Sequence, residues 1–214
     1  MKKKIGMKLS GGADSAIVYY KLCKEFPDAE IYILTLGTDE KPYYPMLAKR
    51  VVEKVYELTG VRPVKHITNF IKHSDEGYVT GQEDMADILR DEYKVEDIYS
   101  GISSNPPIDD MLEYFEHNYY DYNLNLAEVK FHIDKRDKER DLLPPSSARK
   151  GAPFALLSKR DVAMVYKEEN VLDELYPNTC SCESPSGEDE DGYPIHCETC
   201  FFCLERWYGF GRII

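Results

Sequence analysis

The sequence predicts an open parallel α/β sheet with helices on both faces, followed by a small C-terminal zinc-binding module, on three observations. Short β-rich runs alternate with segments of helical periodicity up to Gly101, a Gly-Gly turn joins the first strand to the first helix, and five of the six cysteines crowd into residues 180–203. At 214 residues the chain can bury one α/β core with an appendage, whereas two full domains would be cramped.

Lys4–Leu9 reads as the first strand. Ala13–Lys24 then carries Ile17, Val18, Tyr20, Leu22 and Cys23 at helical spacing, and Cys23 falls where a helix would bury a small thiol. Ile31–Leu36 is a β-rich run after Pro27-Asp28. From Pro45 to Leu58 the residues Leu47, Val51, Val52, Val55 and Leu58 recur at helical intervals until Gly60 ends them. Val64–Ile67 makes a third strand, Gln82–Tyr93 a helix, and Asp97–Gly101 a fourth strand running into a turn. Such alternation builds βαβ units and hence a parallel sheet.

Residues 103–150 are polar, rich in Asp, Glu, Tyr and Asn, and broken by Pro106-Pro107 and Pro144-Pro145. They read as an insertion, either a substrate lid or a solvated connection. As a lid, Arg149, Lys150 and the tyrosines Tyr119, Tyr120 and Tyr122 would meet a carboxylate or stack on a purine-like ring. Regular structure returns at Phe154–Leu157 and continues into a helix with Val162, Val165 and Tyr166 inward. Ser158 is its expected cap and Asp161 the partner of an imperfect capping box. The expected division is an α/β domain over 1–175 and a cysteine-rich tail over 176–214.

Lys and Arg number 27 against 39 Asp and Glu, a formal net charge of −12. That balance opposes docking on a phosphate backbone and favours a small-molecule substrate over nucleic acid. No apolar run approaches the roughly 20 residues that span a bilayer, and the stretch after Lys2-Lys3-Lys4 is too short for a signal peptide. A soluble, cytoplasmic protein with no membrane partner is expected.

The turn after Leu9 reads Ser10-Gly11-Gly12-Ala13-Asp14-Ser15. Gly11 and Gly12 open backbone conformations that let successive N–H groups face one anion. Ser10 and Ser15 add hydroxyl donors, and the helix starting at about Ala13 turns its positive end to the same place. No Gly-Lys-Ser/Thr follows, so the loop differs from a Walker A motif. Ligands of open parallel sheets bind at the carboxyl ends of strands, so a ligand held by this loop would extend toward the end of the second strand, around Leu36 and Gly37.

Cys182, Cys197, Cys200 and Cys203 form a one-plus-three arrangement whose short spacings let four thiolates close on one tetrahedral ion. Structural Zn²⁺ is the expected occupant. An iron–sulfur cluster also takes four thiolates, and Cys180 and His196 are spare donors. Metal binding would pin a tail with little apolar surface of its own to bury. The acidic stretch from Gly187 to Gly192 reads as a solvated loop.

The Ser10–Ser15 string resembles the loop of the PP-loop family, whose fold is of the adenine nucleotide alpha hydrolase type. That resemblance implies ATP with Mg²⁺, with Ser10, Gly11, Gly12 and Ser15 on the β,γ-phosphates and Asp14 placing the metal or fixing the loop. Together with Thr179-Cys180-Ser181-Cys182 and His196-Cys197-Glu198-Thr199-Cys200-Phe201-Phe202-Cys203, with Arg206 beyond, the chain resembles the 7-cyano-7-deazaguanine synthases of the queuosine pathway. Pro153–Lys159 is similar to that family's stretch before its late helix, which makes Lys159 a cation for charge stabilisation. The resemblance implies a C–N ligase that adenylates 7-carboxy-7-deazaguanine and, with ammonia, forms the nitrile, releasing AMP and pyrophosphate. It also implies zinc on Cys182, Cys197, Cys200 and Cys203, and a homodimer. Ser100–Pro107 departs from the segments that family devotes to the deazaguanine, so substrate identity does not carry over with ATP use.

Two other readings follow from the same motifs. A PP-loop enzyme of sulfur chemistry, a tRNA thiolase or sulfonucleotide reductase, would need a redox-active cysteine near ATP, for which Cys180 is the candidate. A non-catalytic, zinc-stabilised module would keep the loop as a relic.

Overall fold

The computed structural model of the chain describes residues 2–72, 75–118, 126–141 and 151–214. Four strands, β1 (Lys4–Lys8), β2 (Glu30–Thr38), β3 (Lys65–Ile71) and β4 (Asp97–Ser100), form a parallel sheet in the order β3-β2-β1-β4. Central β1 pairs with β2 from Lys4↔Glu30 to Lys8↔Leu34 and with β4 from Ile5↔Asp97 to Lys8↔Ser100. The helices between the strands are α1 (Ala13–Glu25), α2 (Tyr44–Thr59) and α3 (Asp75–Asp91).

Side-chain alternation explains why β2 is apolar throughout. Ile31 and Ile33 pack with Ile5 and Met7 against α1 and α2, while Tyr32, Leu34 and Leu36 join Met85 and Leu89 of α3 on the other face. A strand covered on both faces has no solvent side to mark with polar residues. At Gly6 a Cβ would come within 2.8 Å of Leu89, so glycine lets α3 close on the sheet. Gly60 ends α2 at φ 72° and donates its N–H to the Tyr56 carbonyl at 2.8 Å, the stop read in the sequence.

Beyond β4 come α4 (Ile108–Asn118), α5 (Leu126–Asp141), α6 (Lys159–Glu168) and the short α7 (Leu172–Leu175), which runs into a 3₁₀ turn at Tyr176–Asn178. The two-stranded β5 (Gly187–Glu188) and β6 (Pro194–Ile195) precede α8 (Phe201–Phe210). Where regular structure was expected, Phe154–Leu157 makes turns closed by Ala155 N–H to Ala152 and Leu157 N–H to Phe154 carbonyls, and Leu156 is exposed. Ser158 and Asp161 form the reciprocal capping box that starts α6.

The described parts of residues 103–150 carry two helices that help build a core. Met111 and Phe115 of α4 and Val129 of α5 pack with Phe201, Leu204 and Tyr208 of α8. Arg149, Lys150 and the tyrosines Tyr119, Tyr120 and Tyr122 lie outside the described residues. The expectation of a tail poor in apolar surface is corrected, because Phe201, Leu204, Tyr208, Phe210 and Ile213 are all buried. Apolar packing of its own therefore holds the tail, whether or not the cysteines carry a metal. No helix among the described residues is long and apolar enough to cross a membrane.

Candidate nucleotide site and cysteine centre

The carboxyl ends of β1 and β4 open onto a cavity of about 340 Å³. Its floor is the Ser10–Ser15 turn and the start of α1. The loop is tied by its own hydroxyls: Gly12 N–H donates to Ser10 Oγ at 3.3 Å, Ser10 and Ser15 Oγ lie 3.2 Å apart, and Ser15 O–H donates to the Gly12 carbonyl at 3.0 Å. Gly12 caps α1 without a side-chain bond, and the first intrahelical N–H is that of Ala16. The N–H groups of Ala13, Asp14 and Ser15 thus have no intrahelical acceptor at the positive end of the helix, which is a seat for an anion.

Leu9, Ser10, Gly12, Ala13, Asp14, Ser15 and Leu36 all line the cavity, as does Lys159. Gly11 does not: at φ +84° it turns toward α2, where a Cβ would lie 2.4 Å from Leu47 Cβ, and its carbonyl accepts the Cys180 N–H at 3.0 Å. Gly37 is not brought to the cavity either. It lies beneath the Phe70 ring, 2.7 Å from where its Cβ would be, on the strand face opposite Leu36. The apolar end of the cavity is made instead by Leu34, Leu36 and Met85.

Opposite the loop stands a buried charge cluster. Lys159 Nζ donates to Asp14 Oδ2 at 2.5 Å and lies 3.4 Å from Glu205 Oε2. Ser103 Oγ donates to the same Asp14 oxygen at 2.8 Å. The three charged side chains are 4%, 16% and 2% exposed, so two carboxylates share one ammonium away from water. Asp14 Oδ1 is buried without a hydrogen-bond partner. This orphaned carboxylate oxygen beside an anion seat offers a divalent cation a single hard oxygen ligand of the kind Mg²⁺ takes. The cavity also reaches Lys8, whose ammonium pKa is pushed down by burial and then by Arg90.

Ser103, Glu205 and Gly101 were not singled out as site residues from the sequence. Gly101 follows β4 so closely over α1 that a Cβ there would sit 2.2 Å from Ser15 N. A signal did exist for two of them, since Gly101 and Ser103 leave the carboxyl end of the strand next to β1, where open sheets bind ligands. Glu205 lies on a distant helix and had none. Gly209, one turn on, makes room for it to act on Lys159, because a Cβ would lie 2.4 Å from Lys159 Cγ.

The second centre adjoins the first. The sulfurs of Cys182, Cys197, Cys200 and Cys203 lie within 4.8 Å of one another. The Cys197–Cys203 and Cys182–Cys200 pairs are each 4.0 Å apart. Ligands about 2.3 Å from one ion would stand about 3.8 Å apart in a tetrahedron, so the group is able to bind metal with little adjustment. Hydrogen bonds from Cys182 and then Cys203 hold the Cys200 thiol far below its ordinary range, while the same contacts push the Cys182 and Cys203 thiols up. The spare donors are not part of that close group of four, although His196 Nδ1 is 3.5 Å from Cys203 Sγ and 4.0 Å from Cys180 Sγ. The segment that leaves the cluster returns to the cavity, where Cys180, Ser181 and Glu183 form its wall.

No protein-family model matches the chain. Over 81 residues it is 35% identical to the 7-cyano-7-deazaguanine synthase of Pyrococcus horikoshii and 36% identical to that of Pyrococcus abyssi, in each case 38% of this chain and 33% of the relative. It is 43% identical over 58 residues to the Pyrococcus furiosus protein of the same name, 27% of this chain and 23% of the relative. The matches thus span about a third or less of these curated relatives. Among solved structures, the U34-tRNA thiolase NcsA from Methanococcus maripaludis, with its [4Fe-4S] cluster, is similar at a TM-score of 0.42 and 15% identity, over 78% of this chain and 56% of that one.

Proposed function

We propose, from the premise that the matches to 7-cyano-7-deazaguanine synthases support assignment to the PP-loop class, that this chain is an ATP-dependent C–N ligase that converts 7-carboxy-7-deazaguanine and ammonia to the nitrile. The observation that carries the reading is the anion seat at Ala13–Ser15 sharing one cavity with the Asp14–Lys159–Glu205 cluster.

A carboxylate is a poor electrophile, and transfer of AMP to it supplies a leaving group. The substrate oxygen attacks the α-phosphorus and pyrophosphate departs; ammonia then displaces AMP to leave the amide. A second ATP adenylates the amide oxygen, and loss of AMP with the nitrogen's protons gives the nitrile. Each activation consumes one ATP and releases one AMP and one pyrophosphate. In this scheme the N–H groups of Ala13, Asp14 and Ser15 hold the departing pyrophosphate, and Lys159 offsets negative charge beside it. Asp14 would hold Mg²⁺, which neutralises charge on the phosphates when bound. Leu34, Leu36 and Met85 supply the apolar surface for adenine.

For the cysteine group we propose Zn²⁺. Sulfurs that all lie within 4.8 Å suit one shared ion, whereas a four-iron cluster attaches each cysteine to a different iron and holds them farther apart.

Sulfur chemistry has one observation in its favour, Cys180 in the cavity wall. Burial pushes its thiol pKa up, the reverse of what a sulfur nucleophile needs.

The test is incubation with ATP, Mg²⁺, ammonium and 7-carboxy-7-deazaguanine, following AMP, pyrophosphate and the mass of the base. Substrate-dependent AMP with a nitrile product is expected. ATP cleavage that ignores the base and leaves its mass unchanged would overturn the ligase assignment.

A further inference from the structure

The mouth of the cavity carries a second, differently built region. Tyr44 at the start of α2 and Phe202 at the start of α8 both line it. Lys41 Nζ stands over both rings, 5.6 Å from the Tyr44 centroid and 5.9 Å from that of Phe202. The same ammonium, which lies just beyond the cavity lining, is ion-paired with Glu183, a lining residue. Both partners are partly shielded, 21% and 27% exposed. Glu183 is not free to wander, since Cys182 beside it is anchored by Tyr43 O–H to its carbonyl at 2.9 Å and belongs to the four-cysteine group.

A donor and an acceptor fixed side by side, next to two aromatic faces, match a particular ligand edge. A 2-amino-4-oxopyrimidine presents a carbonyl oxygen, a ring N–H and an exocyclic amino group in a row. An ammonium answers the carbonyl, and a carboxylate accepts the two N–H groups. Rings beside the pair supply a stacking surface that fixes the plane of the base.

Resting on the ligase reading above, we infer that Lys41, Glu183, Tyr44 and Phe202 form the acceptor subsite and select a guanine-type edge. Lys41 donates to the base carbonyl, Glu183 accepts from the ring N–H and the 2-amino group, and the base stacks beside Tyr44 and Phe202. The carboxylate on the five-membered ring then points inward, toward Asp14 and Lys159. The subsite is built from the loop before α2, the start of α2, the cysteine loop and α8, none of which includes the Ser100–Pro107 segment.

The experiment is calorimetric binding of 7-carboxy-7-deazaguanine and of the analogue lacking the 2-amino group to the full, zinc-loaded chain, with α,β-methylene-ATP and Mg²⁺ present. The wild type is expected to prefer the amino-bearing base by roughly 10- to 100-fold, the worth of one or two hydrogen bonds to a charged group. Glu183→Gln is expected to lose most of that preference while binding α,β-methylene-ATP as tightly as the wild type. Lys41→Met is expected to weaken both bases about equally, and Tyr44→Leu likewise. A wild type that binds α,β-methylene-ATP but neither base would sink the substrate reading together with the subsite. A wild type that discriminates and a Glu183→Gln variant that discriminates equally would overturn the subsite and leave the ligase reading standing.

Discussion

Lys159 and Asp14 lie 145 positions apart in the chain, yet their side chains meet at 2.5 Å inside the protein, with Glu205 3.4 Å from the same ammonium. The contact joins the first residue of α6 to the first turn of α1, and Tyr166 O–H to the Ala13 carbonyl at 2.7 Å repeats the join a helical turn pair further on. Removing the ammonium would take from two buried carboxylates the cation that they share. Lys159→Met should therefore destabilise the fold by about 3–5 kcal/mol and abolish ATP cleavage. Urea unfolding checks the first outcome, and a loss below about 1 kcal/mol would show that the cluster is not a desolvated ion pair.

Asp14→Asn separates a metal role from a packing one. The amide keeps the size of the side chain and can still accept from Ser103 and Lys159, but it lacks the charge that Oδ1 offers a cation. Binding of ATP with Mg²⁺ should weaken on the order of tenfold or more, while binding without Mg²⁺ should change little. Equal losses under both conditions would argue that Asp14 only fixes the loop.

The four-cysteine group and the Ser10–Ser15 loop touch through backbone. Cys180 N–H donates to the Gly11 carbonyl at 3.0 Å, two residues before the first cysteine ligand. Cys197→Ser should lower bound zinc well below one per chain, and it should weaken ATP binding as well as thermal stability, since the ligand set and the loop share this contact. Cys23→Ser, a change at a buried thiol on α1 remote from the cluster, should leave zinc content unaltered. Metal analysis with parallel nucleotide titration decides, and full ATP affinity in a zinc-free variant would uncouple the two centres.

Local patterns made much of this legible. The Ser10–Ser15 string, the Gly60 stop, the Ser158–Asp161 box and the four cysteines each announce a local geometry, and each occurs as a short-range structure. What was hidden is what distant segments do to one another. Glu205 reads as one acidic residue in a helix until α8 packs on α6 and turns it toward Lys159. Gly37 sits next to Leu36 in sequence, but adjacent strand residues face opposite ways, and the one-residue step puts it under Phe70. The helices of residues 108–118 and 126–141 were obscured because their apolar residues are buried against each other and against α8, far along the chain.

Gly101 offers a test of how tightly β4 is closed over the loop. A Cβ there would lie 2.2 Å from Ser15 N and 2.4 Å from Ser15 Cα, both backbone atoms that cannot swing aside. Gly101→Ala should cost roughly 1–3 kcal/mol or more in stability and weaken nucleotide binding by displacing the first turn of α1. A variant as stable as the wild type would mean that the turn after β4 yields without disturbing the anion seat.

His66 provides a pH signature just behind the loop. Thr35 Oγ1 donates to the Leu9 carbonyl at 2.7 Å, which uses its hydrogen, so the 2.8 Å contact with His66 is assigned as Nε2–H donating to Thr35 Oγ1. Burial holds the imidazole below its ordinary pKa. The unfolded chain, with a histidine near 6.5, therefore takes up a proton first as pH falls, and folding stability declines below about pH 6.5 until the folded imidazole titrates too. His66→Gln can donate the same bond from its amide and carries no titration. Guanidinium unfolding at pH 7.5 and 5.5 should show the wild type losing stability relative to His66→Gln at the lower pH; a difference that stays constant across that window would mean that burial at this position does not oppose protonation.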